Sequence, residues 1–339
     1  MKTVLIHGKD DLRIEEVPTP EPGPGQVRLK MAYAGICGSD LHYYFEGANG
    51  AFVVREPLCP GHEVSGTVDA DPSGRLVPGT PVTVHPATFG ECLPGLEGHR
   101  HLWPRGAYLG SASTWPHTQG GMSEYLIVEA GMVRPLPEGL SLADAALAEP
   151  LAVGLHGIAV AGGVAGKRVL VSGSGPIGLL AAAGALASGA AEVTCTDVLP
   201  GPLERARALG VQHTLRVGAD ELPAESYDVV LECSGVPAAI NACIAAVRRA
   251  GVIAQIGMTS AGPKPVDLAT LISKEVSLRG CFRFNDEIDA AVAMLADHPG
   301  IGSVVTHTLD ADDAEEAFAV ARDSAASGKV LVRLWGVSA

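Results

Sequence analysis

The hydrophobic pattern of the chain changes near residue 150. Before it, short β-rich runs such as "QVRLKMAYA", "EVSGTVDA", "PVTVHP" and "EYLIVEA" are separated by Gly and Pro clusters ("PTPEPGPG", "DPSG", "VPGTP"). Branched and apolar runs punctuated in this way predict antiparallel or barrel-like β structure. After it, apolar strands alternate with Ala-rich helical segments: "RVLVSG", "PIGLLAAAGALASG", "EVTCTD", "PLERARALG", "YDVVLECSG", "PAAINACIAAVRRA" and "GVIAQIGM". That alternation predicts βαβ units and a parallel sheet covered by helices on both faces. The last segments, "DAEEAFAVARDSAASG" and "KVLVRLWG", read as a helix and a strand that could join either half.

Composition sharpens this picture. A chain of 339 residues with 47% hydrophobic content exceeds the usual size of one domain, so two are expected. No apolar run approaches the ~20 residues that span a bilayer, and "MKTVLIHGKDDLRIEE" turns acidic too soon for a signal peptide. A cytoplasmic location is expected, with no membrane partner. A formal net charge of −14 without a dense Lys/Arg cluster argues against nucleic acid. The seven cysteines are odd in number and scattered, which disfavours a disulfide framework and suggests reduced thiols.

The second half carries G-x-G-x-x-G in "VLVSGSGPIGLL", with Gly173, Gly175 and Gly178 directly after a strand and leading into a helix. Gly173 allows a tight turn, Gly175 lets backbone approach a pyrophosphate, and Gly178 lets the helix pack closely on the strand. Asp197 ends the next strand, 19 residues after Gly178, where a carboxylate can accept from both ribose hydroxyls and repel a 2′-phosphate. NAD is therefore favoured over NADP, although Arg205 follows closely enough to tolerate NADP weakly. A bland alternative, a Gly-rich turn beside an unrelated Asp, is weakened by the conjunction of strand, helix and spaced acid.

The first half offers metal chemistry. Cys37 in "GICGSD" and His62 with Glu63 in "CPGHEVSG" place a soft thiolate and an imidazole 25 residues apart, both in Gly-flanked turns of the kind zinc uses. Alone, a Cys is more often a small buried hydrophobe and a His more often a hydrogen-bonded core residue. Beside a dinucleotide fold the pair gains weight, because taking hydride from an alcohol needs a Lewis acid or base to generate the alkoxide. A third ligand could come from Glu63 or from Glu149, in "ALAEPLAVGLH".

The stretches "AGICGSDLHYY", "GHEVSGTV", "GSASTWPHTQGG", "AEPLAVGLH", "GSGPIG" and "KEVSLRGCFRF" together resemble the zinc-dependent medium-chain alcohol and polyol dehydrogenases over essentially the whole chain. The resemblance implies an α/β fold: a GroES-like β-rich catalytic domain over 1–152, a Rossmann doubly wound parallel-sheet domain over 153–290, and a return to the catalytic domain over 291–339, with the active site in a cleft. It implies catalytic zinc on Cys37, His62 and either Glu63 or Glu149. It places Ser39 against the reacting oxygen, Tyr43 and Glu149 in the active site, and Asp40 and His42 as supports, all from one short loop apart from Glu149. Gly173, Gly175, Pro176, Ile177, Gly178, Asp197, Phe282 and Arg283 would hold the dinucleotide, and Arg283 would also meet the substrate, pairing with the carboxylate of a sugar acid or with hydroxyls of a polyol. A homodimer or homotetramer is the family expectation.

The chain departs from the family where many members hold a structural zinc on four cysteines. In "TFGECLPGLEGHRHLW" only Cys92 remains, with Phe89, Gly95 and Trp103 at the other positions, and one thiol cannot close such a site. One zinc per chain is expected, with this lobe held by packing through Trp103 and Pro104 or against a neighbouring subunit. His99 and His101 read as solvated loop residues. The competing readings are a simple secondary-alcohol or threonine dehydrogenase on the same scaffold, and a catalytically silent nucleotide-binding protein. Retention of Cys37, His62 and both glutamates disfavours the second.

Overall fold

A computed structural model of the chain describes residues 1–336. It divides into two compact units. One comprises Met1–Glu149, Leu295–Asp323 and the chain from Lys329; the other comprises Pro150–Met294 and Ser324–Gly328. The expected bounds of 1–152, 153–290 and 291–339 therefore shift by three or four residues at each boundary, and Ser324–Gly328, expected in the first domain, belongs to the second unit. The reason is local: Arg205 donates to the carbonyls of Ser324 (2.9 Å), Ala325 and Ala326 (both 3.4 Å), and Gly201 leaves room for the Ala325 carbonyl, which a Cβ there would meet at 2.5 Å.

The first unit is built on a seven-stranded sheet ordered Val133–Pro135, Pro81–Val84, Glu63–Ala70, Gln26–Gly35, Lys329–Arg333 and Val305–Asp310, with Tyr125–Glu129 also pairing with Gln26–Gly35. The pairs are antiparallel except Val305–Asp310 with Lys329–Arg333. Alternate residues of Gln26–Gly35 face the core, so Val27, Leu29 and Met31 pack with Val64, Val68, Met122 and Phe318. Register sets Gly35 opposite Glu63, and a Cβ at Gly35 would lie 2.0 Å from Glu63 Oε2. Glycine is thus required beside that carboxylate.

In the second unit six strands run parallel in the order His213–Arg216, Glu192–Asp197, Arg168–Ser172, Tyr227–Glu232, Val247–Gln255 and Ser277–Gly280. The central strands are nearly all buried, as the continuous apolar runs predict for a sheet covered on both faces. From Arg168–Ser172 the chain adds two strands on one side and then returns to the other, which puts the topological switch between Ser172 and Glu232. Among the described residues no helix is long and apolar enough to cross a membrane.

Candidate active site

The segment expected as a loop after Cys37 is instead a helix, Gly38–Glu46, with Cys37 as its N-cap. Asp40 supplies the reason: fully buried, its Oδ2 accepts from the Cys37 N–H at 2.9 Å and its Oδ1 from the Gly61 N–H at 3.4 Å. One carboxylate ties together the two turns that present Cys37 and His62. Burial pushes the Asp40 carboxyl above the usual carboxylate range.

Cys37, His62 and Glu63 each present a ligand atom within 4.8 Å of the others, and this is the sole such group of three among the described residues. His62 and Glu63 are buried, and His62 Nδ1 has no hydrogen-bond partner. Burial alone would lower the pKa of His62, yet the charges of Cys37, Asp40 and Glu149 and a hydrogen bond with Cys37 raise it to about 10. A pocket this rich in anions and thiolate-type donors fits a divalent soft cation.

The two glutamates are held differently. Glu63 is 0% exposed, and both its oxygens accept from Lys329 Nζ, at 2.6 and 2.7 Å, while Nζ also donates to the Ile36 carbonyl at 3.0 Å. Burial opposes a charged Lys329, but Glu63 and Cys37 outweigh it and raise the pKa. Glu149, in the first turn of helix Ala148–Val160, accepts from the Tyr108 hydroxyl at 2.5 Å, and the Tyr108 ring lies edge-on to His62 with centroids 5.4 Å apart. Burial raises the Glu149 pKa against the pull of His62. Neither Lys329 nor Tyr108 was among the expected site residues. A lone Lys opening the apolar run "KVLVRL" was the available signal for the first, and Tyr108 carried none.

Ser39 lies half-buried in the first helical turn, two residues from Cys37. Tyr43 is 1% exposed; its hydroxyl accepts from Ala112 N–H at 3.1 Å and lies 3.4 Å from Ser111 Oγ, so it braces the turn 111–113. His42, expected as a support of the ligands, points outward instead and pairs with Glu46 at 3.1 Å, both side chains more than half exposed. Its place one turn before Glu46 on the helix explains the difference.

In the second unit Gly173 has φ +88°, and a Cβ at Gly178 would lie 1.8 Å from the Gly173 carbonyl. A Cβ at Gly175, by contrast, would meet nothing within 4 Å. The turn therefore leaves open space at the N-terminus of helix Pro176–Ala187, where Pro176 stands in the first turn and the first amides of a helix have no partner within it. Asp197 closes the turn, its Oδ2 accepting from Ser174 N–H and its Oδ1 from Leu199 N–H, both at 2.9 Å. Arg205, expected to tolerate a 2′-phosphate, is occupied by the carbonyls of 324–326. Arg283 adopts φ +52°, rare for a side chain of its size, with its guanidinium 4.9 Å from the Phe282 ring.

The lobe 89–105 is held by local contacts. Trp103 Nε1 donates to the Leu96 carbonyl at 2.7 Å, Arg100 lies 4.5 Å over the Phe89 ring, Arg105 pairs with Glu91, and Cys92 is exposed. Pro104 itself is exposed, but its carbonyl lies where a Cβ on Gly90 would stand.

A parallel-sheet domain with a glycine turn and a second unit carrying a thiol, imidazole and carboxylate cluster define a two-domain oxidoreductase. Residues 23–138 match the alcohol dehydrogenase GroES-like domain and residues 176–297 the zinc-binding dehydrogenase domain. The chain is 36% identical over 338 residues to L-idonate 5-dehydrogenase (NAD(P)(+)) of Escherichia coli strain K12, covering 97% of each. It is 36% identical over 332 residues to sorbitol dehydrogenase of Gallus gallus, covering 93% of this chain and 91% of that one. Its structure resembles that of Escherichia coli L-idonate 5-dehydrogenase, with a TM-score of 0.93, 34% identity and 98% and 97% of the two chains covered. It also resembles 2R,3R-butanediol dehydrogenase of Bacillus subtilis, with a TM-score of 0.86, 28% identity and 98% and 99% covered. The chain belongs to the zinc-binding dehydrogenases with a GroES-like domain, and is an NAD(P)-dependent oxidoreductase of the alcohol and polyol dehydrogenase class.

Proposed function

We propose that this protein oxidises a secondary hydroxyl of a sugar acid or polyol with NAD, and that its substrate is L-idonate or a close relative. The observation that carries the reading is the group of half-buried Cys37 with buried His62 and Glu63, their ligand atoms within 4.8 Å of one another. Cys37 and His62 would hold one zinc per chain, with Glu63 or Glu149 as the third ligand. Bound there, zinc supplies the Lewis acidity that lowers the pKa of a hydroxyl, and the nicotinamide is the hydride acceptor.

The chain's own groups do the rest. Asp40 fixes the two ligand-bearing turns, and Lys329 holds the Glu63 charge where it would otherwise be uncompensated. Ser39 passes the substrate proton outward. Tyr43 keeps the turn 111–113 in place. Gly173, Gly175, Pro176, Ile177 and Gly178 receive the pyrophosphate on backbone amides, Asp197 accepts from the ribose, and Phe282 and Arg283 border the nicotinamide end. Engagement of Arg205 elsewhere supports NAD over NADP. Arg283 pairs with the substrate carboxylate; its left-handed backbone is the kind of local strain that functional sites retain.

The test is nicotinamide reduction by zinc-loaded protein against L-idonate, D-gluconate, sorbitol, xylitol, threonine and a simple secondary alcohol. Turnover confined to sugar acids supports the reading, and turnover of neutral polyols alone moves the assignment to a sorbitol or xylitol type. Arg283→Ala should raise KM for sugar acids on the order of tenfold or more and for neutral polyols far less. Equal losses for both would remove the carboxylate contact. The reading includes a cytoplasmic homodimer or homotetramer. Supporting assembly, Ser277–Gly280 is an open sheet edge bearing exposed Leu278, and the preceding helix Leu268–Ser273 exposes Leu268 and Ile272. Light scattering on the purified protein measures it.

A further inference from the structure

Glu232 takes part in none of the steps above, yet it ends the strand Tyr227–Glu232 fully buried. Its carboxylate is met by four uncharged donors. Oε1 accepts from the Ser234 N–H at 2.9 Å and from Ser234 Oγ; Oε2 accepts from the Gly235 N–H at 3.0 Å and from Gln255 Nε2. Its backbone carbonyl accepts from both Ile256 and Gly257 N–H at 2.8 Å. A buried charge without a cation is costly, so the position calls for an acceptor-only group with lone pairs for four donors.

What those bonds secure is a junction of three turns. Gly235 has φ +66°, and a Cβ there would lie 2.2 Å from the Met258 carbonyl. A Cβ on Gly257 would lie 2.3 Å from Gly235 N, and one on Gly173 would lie 3.0 Å from Ser234. The turns after Arg168–Ser172, Tyr227–Glu232 and Val247–Gln255 are thus in direct contact at the carboxyl ends of adjacent parallel strands, at the point where the strand order reverses. Dinucleotides lie in that crevice in sheets of this type.

We propose that Glu232 is a positioning residue for the dinucleotide: it holds turn 233–236 flush against the first glycine of the G-x-G-x-x-G turn, and so sets the width of the cofactor crevice. The proposal rests on the NAD reading above. Glu232→Gln keeps the size but aims an NH2 group at the Ser234 N–H if it replaces Oε1, or at the Gly235 N–H and Gln255 Nε2 if it replaces Oε2, so turn 233–236 must move.

The experiment measures NAD affinity by quenching of intrinsic fluorescence, with NAD KM, kcat at saturating NAD, zinc content and the NAD-free melting midpoint alongside. Glu232→Gln should raise the Kd and KM for NAD on the order of tenfold while kcat at saturation and zinc content stay within about twofold of wild type. Ser234→Ala, which removes one donor and keeps the carboxylate, should raise the Kd by a smaller factor, about two- to fourfold. A folded Glu232→Gln with wild-type NAD affinity and a lowered melting midpoint would make the residue structural only and overturn the proposal. A fall in kcat at unchanged KM overturns it equally. If Glu232→Gln does not fold, Ser234→Ala decides, and an unchanged Kd there sinks the idea. Wild-type protein that takes up zinc but does not bind NAD overturns the cofactor reading itself, a separate result.

Discussion

Replacing Lys329 by Met tests how the carboxylate beside the metal-type cluster is held. Lys329 and Glu63 are 2% and 0% exposed at the side chain, and Nζ lies 2.6 and 2.7 Å from the two oxygens. At an effective dielectric near 20 that separation corresponds to about 6 kcal/mol of attraction, set against a desolvation cost of several kcal/mol for each ion. Met preserves the length and apolar stem but leaves the Glu63 charge buried without a cation, for which removal of one partner costs about 3–5 kcal/mol. In a unit of this size each kcal/mol moves the melting midpoint by about 2–4 °C, so a drop of roughly 6–20 °C is expected in chelator. Circular dichroism melting gives the measurement. Adding Glu63→Gln to Lys329→Met removes the stranded charge, and the double variant should recover about 1–3 kcal/mol relative to the sum of the singles. A Lys329→Met midpoint within 2 °C of wild type, or strict additivity in the double variant, would refute the argument.

Metal analysis of protein loaded with excess zinc and then desalted should return one zinc per chain, because the lobe around Cys92 keeps a single cysteine; two would show a site there. Cys37→Ser should lower bound zinc to a small fraction of wild type and abolish turnover, and retention of stoichiometric zinc would remove Cys37 from the ligand set. Although burial alone would raise the pKa of Glu287, its hydrogen bond and ion pair with His156, 2.7 Å away, bring it down to about 2. A depressed folded-state value means that the stabilisation is complete above the unfolded carboxylate's pKa and is lost as pH falls from there toward 2. Wild type should therefore lose about 2–3 kcal/mol more than Glu287→Gln between pH 5 and pH 2, measured by urea unfolding, and parallel curves would contradict it. Arg205→Ala should lower stability by about 1 kcal/mol and leave the ratio of NAD to NADP affinity within twofold, since its guanidinium serves the segment 324–326; a large change in that ratio would return Arg205 to the cofactor.

The parts legible in the sequence are those carried by local pattern. Period and punctuation fixed the two textures, and Gly173, Gly175 and Gly178 could be read because a turn that leaves an amide-lined space needs glycine at fixed offsets. Cys37 and His62 were readable as soft donors in glycine-flanked turns. Long-range partners were not. Lys329 reaches Glu63 across 266 residues within one sheet, and Tyr108 reaches Glu149, on a helix, across 41, and no local periodicity encodes either pairing. The helix after Cys37 was missed for a related reason: "GSDLHYYFEG" is short, and the cap that starts it is a carboxylate also bound to Gly61. The place of Ser324–Gly328 in the second unit is not legible in the sequence, because its attachment is Arg205 bonding to carbonyls, which any sequence there could offer.

The distribution of charge around Cys37 separates support from chemistry. Four acidic groups, Cys37, Asp40, Glu63 and Glu149, lie near two basic ones, His62 and Lys329. Asp40 is met by two backbone N–H donors, and Glu63 by Lys329 on both oxygens, so each already has a partner that fixes its orientation. The charges that raise His62 to about 10 are those of Cys37, Asp40 and Glu149. Metal coordination needs the neutral imidazole, so a divalent cation held by Cys37 and His62 would itself balance these charges. Lys329 thus meets Glu63 on both oxygens, whereas Glu149 is held at one oxygen by the neutral hydroxyl of Tyr108, so the two carboxylates approach the Cys37 and His62 pair with different partners and different charge balance.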